Sequence, residues 1–213
     1  MLEARDTLLL NGLIGAGAWA AFLYLSPPML GLAVLALVIA YNLLLPLFAR
    51  SSGHGHWFDL WWFLLPLSIC QVVPDWVLSQ LIGILSFPDL GAPRVGTVPV
   101  YMAGMWVIPL FWVLLIARGS PLLAGALSLL VFGIAEWAAP VFGLWRPRNV
   151  ATHYGIADYV LIPEALLGWA AAYAYREVGS SGLLLRLAAA AAVSIFYTGA
   201  LVVSYFLMQR AGF

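Results

Sequence analysis

The sequence contains no lysine; all nine basic residues are arginine. A retinal or pyridoxal cofactor held as a lysine Schiff base is thereby excluded. A single cysteine, Cys70, rules out an internal disulfide and any cysteine-based metal cluster. Charge is scarce too: 8% of 213 residues, nine acids against nine bases, with no basic tail to attract nucleic acid. Apolar residues fill the place of charge, at 64% of the chain with a mean hydropathy of +1.01. Runs of about twenty apolar residues match the length a helix needs to cross a ~30 Å hydrocarbon core. The chain therefore reads as all-α: a polytopic transmembrane bundle of about seven helices, one integral membrane domain over residues 1–213. The start "MLEARDT" carries two acids and one arginine, unlike the positive n-region of a signal peptide, so a retained first helix is expected.

Proline, glycine and arginine divide the apolar runs. Helices are expected at Thr7–Leu25, Met29–Phe48, from "WFDLWWF" to about Phe87, Val100–Ala117, Leu122–Phe142, Asp158–Tyr175 and Leu183–Gln209. The third is too long for one simple span, and Pro66 and Pro74 predict a bend or break. "PDLGAPRVGTVP" is a turn-rich loop long enough to fold back over a pocket mouth. With seven spans, Arg5, Arg50, Arg118, Arg176 and Arg186 fall on the N-terminal side, against Arg94, Arg146, Arg148 and Arg210 on the other. Five against four favours an inside N-terminus.

Within this apolar chain, Ser68, Gln71, Asp75 and Ser79 recur every three or four residues, so they share one helix face. A polar stripe in a membrane helix faces protein or a cavity, because a carboxyl at membrane depth costs a few kcal/mol, roughly, unless paired, hydrated or protonated. Pro74 also frees the carbonyl of Cys70. The stripe is either a kinked helix satisfied against its neighbours or a pocket wall.

Glu136 lies six residues before the end of the fifth helix and Glu164 six residues into the sixth. At about 1.5 Å per residue both sit ~9 Å below the same membrane face. Small residues accompany each acid: Gly168, Ala171 and Ala172 beside Glu164, and Ser128, Gly133 and Pro140 beside Glu136. The space they leave admits either a neighbouring helix or a slender apolar ligand. Two carboxyls in a dry site would share a proton, one acting as acid and one as base; the alternative is a buried structural hydrogen bond. Gln71, Trp76, Trp106, Trp137 and Tyr197 are candidates for an aromatic, mostly apolar wall, and His153 for a proton shuttle to Glu164. Arg146 and Arg148 read as interfacial anchors.

The stretch "EWAAPVFGLWRPRNVATHYGIADYVLIPEALLGW" resembles part of the integral-membrane carotenoid enzymes, namely the small helical lycopene cyclases and the carotenoid-hydratase-like proteins. The matching positions are Trp145, Gly155, Pro163 and Glu164. The cyclase pattern has a second acid where this chain has Ala165. Two stretches, one beginning "QVVPDWVLSQ" and the other "HYGIADYVLIPEALLG", are also similar to uncharacterised cyanobacterial and plastid membrane proteins. The resemblance implies proton-initiated cyclisation, isomerisation or hydration of an isoprenoid-type lipid. Glu164, Glu136 and Asp75 are the expected acids, with membrane lipids as surroundings and no cofactor or metal. The rival expectation is a small transporter, ligand-binding or scaffold protein whose buried acids serve as ion or proton sites.

Overall fold

The computed structural model describes residues 2–179 and 181–211; the side chains of Glu3 and Arg210, counted above, lie outside the described set. In chain order the helices are α1 (Leu2–Tyr24), α2 (Met29–Ser51), α3 (Gly55–Cys70), α4 (Val72–Trp76), α5 (Met102–Met105), α6 (Val107–Ala117), α7 (Pro121–Phe142), α8 (Leu161–Val178) and α9 (Leu183–Ala211). α3, α4 and a π-helical turn at Val77–Ile82 make one broken rod, and α5 and α6 make another, so the described chain forms seven rods. Five are long and apolar enough to cross a membrane. Large apolar side chains such as Leu13, Leu130 and Ile195 cover the outside, while Tyr41, Trp57, Phe63, Phe111 and Leu167 fill the centre without solvent contact. The protein is a multi-pass integral membrane protein.

Local chemistry explains most boundaries. Ser120 Oγ accepts from the Leu123 amide and Pro121 follows at the first helical position, so α7 starts there. It stops at Gly143, whose φ of 69° is open to glycine. In the third rod, Pro74 leaves the Cys70 carbonyl without an amide partner, and the helix breaks at Gln71. Ser194 Oγ of α9 donates to that carbonyl at 2.9 Å. The rod then ends at Ile82 and not near Phe87, because Gly83 turns at φ 80° and residues 85–86 leave to pair elsewhere. α8 likewise begins at Leu161, three residues later than expected, because residues 156–157 pair with 152–153.

Two connections close one end of the bundle. Six short strands are β1 (Leu85–Ser86), β2 (Arg94–Val95), β3 (Val98–Pro99), β4 (Arg146–Pro147), β5 (Thr152–His153) and β6 (Ile156–Ala157). β2–β3 and β5–β6 are local hairpins, but β1 pairs antiparallel with β4, tying the loop after the third rod to the loop after α7. The amide of Arg148 adds a bond to the Ile84 carbonyl at 2.8 Å. The first loop also reaches back to α2, where the Gly31 amide donates to Leu90 O at 2.8 Å.

Candidate functional site

The polar stripe on the third rod turns inward. Ser68 and Gln71 have no solvent contact and Asp75 is buried. The Trp106 indole, at the joint between α5 and α6, donates to Asp75 Oδ2 at 3.4 Å. One turn on, Ser79 Oγ donates to the Asp75 carbonyl at 2.6 Å and shares a hydrogen bond with Thr97 Oγ1, pinning the β2–β3 hairpin to the rod.

Asp75 opens onto a cavity of about 440 Å³ whose walls come from α1, α2, the third rod, α5, α6, α7, α9 and both end loops. Its lining is mostly apolar and aromatic, including Phe22, Met105, Trp106, Trp112, Phe132 and Phe142. Glu136 faces the same cavity. Gly143 reverses the chain so that Trp145 returns over α7 and its indole donates to Glu136 Oε1 at 2.9 Å. Both carboxyls are thus built alike: an indole holds one oxygen. Tyr197 of α9 completes the wall, its ring edge-on to Trp106 at 5.9 Å.

Glu164 is buried behind this wall, in electrostatic contact with Glu136 but not lining the cavity, and its Oε2 has no protein partner. The two glutamates thus lie within electrostatic range of each other although α8 starts at Leu161 and Glu164 stands three residues in, not six, while the carboxyl that shares the cavity with Glu136 is Asp75. The reason is the fit of α7 against α8. Gly168, one turn after Glu164, lets Ser128 of α7 pack directly on the α8 backbone, and Gly125 sits against the Ala165 carbonyl. The small residues beside Glu164 seat a helix, and the space for a ligand lies further along α7, beside Ala135, Ala138 and Ala139. Tyr197 and Tyr159 each lie within electrostatic range of all three acids.

Three expected wall residues and the expected proton shuttle lie elsewhere. Trp137 follows Glu136 by one residue, a turn of about 100° that points it outward. Trp76 is displaced from Asp75 in the same way and covers the Gly96 hairpin tip. His153 stands in the β5–β6 hairpin, largely exposed, where its Nδ1 pairs with Asp158 Oδ1 at 2.7 Å and not with Glu164. Gln71 is buried above Asp75 with neither side-chain atom partnered by protein, outside the cavity lining. Trp145, Tyr159 and the α1 residues Ile14, Ala18 and Phe22 line the cavity without having been singled out as its walls. For Trp145 the signal was present: a helix-ending glycine two residues earlier returns the chain over the acid.

Among the described residues no three His, Cys, Asp or Glu side chains converge as metal ligands would. The model of one family, described as a domain of unknown function, matches residues 72–208. The chain belongs to the DUF6989 family. No curated protein and no solved structure matches it. The DUF6989 match begins at the α3–α4 break, so it takes in Asp75, Glu136, Glu164 and both indole donors and leaves α1, which forms one cavity wall, outside.

Proposed function

We propose that the protein is a membrane enzyme carrying out acid–base chemistry on an isoprenoid-type lipid, a proton-initiated cyclisation, isomerisation or hydration. The observation that carries the reading is the placement of Asp75 and Glu136, each with one oxygen held by an indole, on the wall of a single apolar cavity. The volume falls within the range of about 300–1,000 Å³ common to small-molecule sites. The cavity also makes a scaffold role, in which the polar stripes meet with nothing between them, the weaker reading.

In this mechanism one of the two carboxyls gives its proton to a carbon of a ligand double bond. The π pair forms the new C–H bond and a tertiary carbocation remains. The faces of Trp106 and Phe132, whose rings lie 5.2 Å apart, stabilise the positive charge. The reaction ends when the other carboxylate removes a neighbouring C–H proton, or when water adds and yields its proton to that carboxylate. Glu164 touches no ligand here; behind the wall and within electrostatic range of Glu136, it is a positioning residue. This assignment moves the leading role from Glu164 to Asp75 and Glu136.

The test is a panel of isoprenoid substrates incubated with membranes in deuterated water. Wild type should place stable deuterium in the product, and Glu136→Gln and Asp75→Asn should each lose about 10²- to 10⁴-fold in rate, the usual worth of a positioned acid or base. Full turnover in both variants would remove these carboxyls from the chemistry.

A further inference from the structure

A second cavity, of about 820 Å³, lies toward the opposite end of the bundle. Thr7 and Leu8 of α1, His56 of α3, Arg118 after α6 and Tyr175 of α8 line it. Trp112 lines both cavities. The two therefore abut across one side chain, and α1 and α6 contribute to both along their length: Thr7 then Ile14 and Ala18 on one side, Arg118 then Trp112 and Pro109 on the other. α1 packs chiefly on α2, so it leaves this space beside α6.

Arg118 is the singular group in the second cavity. It caps α6 in the left-handed region, at φ 48°, where glycine is the unstrained choice. On this side of the bundle Arg5 and His54 share Asp6, Arg176 takes Glu177, Arg186 faces Asp59 and Arg50 lies over the Phe58 ring. Among the described residues, no acid pairs with Arg118. An arginine without an acid, exposed at the rim of this cavity, matches a phosphate group, which guanidinium binds with two parallel hydrogen bonds.

We propose that the ligand is a single-chain isoprenoid-type lipid with an anionic phosphate head. The head sits on Arg118, and the chain runs between α1 and α6 past Trp112 so that its far end meets Asp75 and Glu136. Twelve residues separate Arg118 from Trp106, about 18 Å of helix, so only an extended chain reaches both ends. The reaction at the far end rests on the acid-chemistry reading above; the head site does not.

Binding is measured on purified protein in detergent, with geranylgeranyl diphosphate and the neutral alcohol of the same chain as probes. The diphosphate should bind about 10- to 100-fold more tightly, the worth of one charge-assisted pair. Arg118→Gln should erase that preference, and Arg118→Lys, which keeps the charge but loses the paired hydrogen bonds, should keep only part of it. A photoreactive group at the tail should label α5 or α7, and one near the head should label the Thr7–Leu8 or Arg118 segments. Equal affinities in wild type, or a preference that survives Arg118→Gln, would overturn the proposal. So would equal binding by inorganic pyrophosphate alone, which marks a free-anion site, or by a two-chain anionic phospholipid, which marks ordinary bilayer lipid. The deuterium assay separates the two readings. Arg118-dependent binding without deuterium incorporation would leave the head site standing and remove the chemistry, whereas turnover of neutral lipids indifferent to Arg118 would do the reverse.

Discussion

Replacing Gly168 with alanine tests the packing that sets Glu164 behind Glu136. A Cβ at this position would fall 2.5 Å from Ser128 Cβ and 2.7 Å from the Ala124 carbonyl oxygen, as well as overlapping Ser128 Oγ. The hydroxyl can rotate aside; the other two atoms belong to the α7 backbone and its first side-chain carbon and cannot. Ordinary contact therefore requires α7 and α8 to part by the better part of an ångström. Alanine brings a helix-propensity gain of about 1 kcal/mol, against an overpacking cost of about 1–3 kcal/mol or more where backbone must move. A net loss of about 1–2 kcal/mol is expected, measured by reversible unfolding in mixed micelles. Ser128→Gly removes the Cβ and the hydroxyl together, so the double variant should regain about 1 kcal/mol beyond additivity. Gly168→Ala as stable as wild type, or a strictly additive double variant, would refute the argued contact and with it the account of why the small residues beside Glu164 hold a helix and not a ligand.

The remaining expectations are simpler to read. Trp137→Ala should leave ligand binding unchanged because its ring faces outward, whereas Trp106→Ala should weaken it; scintillation or native mass spectrometry of a bound isoprenoid distinguishes the two. Ser194→Ala, which removes the donor to the Cys70 carbonyl, should cost about 0.6 kcal/mol, the average for hydrogen bonds between membrane helices, in the same micelle assay. An inside N-terminus places the β5–β6 hairpin outside, so Tyr154→Cys in a Cys70→Ala background should react with an impermeant maleimide on intact cells; protection until lysis would reverse the topology.

Much of this architecture was legible because membrane helices announce themselves by length and hydropathy. Pro74 and the serine–glutamine–aspartate spacing gave both the break in the third rod and the inward face of Asp75. Glu136 and Glu164 fall within electrostatic range of each other, but the count to their helix ends was off by three residues because the β5–β6 hairpin delays the start of α8. The partner across the cavity was not legible, because where along α7 the space opens depends on its close contact with α8 at Gly168 and Ser128, and no periodicity within one helix encodes its fit to another. The tryptophans show the same limit. Trp76 and Trp137 each follow an acid by one residue and point away from it, while Trp106 and Trp145 come from distant segments and donate to Asp75 and Glu136. His153 failed for a local reason: its hairpin offered Asp158 at hydrogen-bond distance.

The four-residue ladder joining Leu85–Ser86 to Arg146–Pro147 knots the two end loops into a clasp, so a molecule arriving from the water on that side meets a closed door. α1 is held near the same end by Phe22 and Trp19 resting on Phe142. Under the proposed function the ligand would then enter sideways, from the bilayer, between helices. For a ligand that never leaves the lipid, supply is set by its density in the plane of the membrane and not by its solubility. Rates measured in detergent will follow the ratio of ligand to micelle more closely than any bulk concentration.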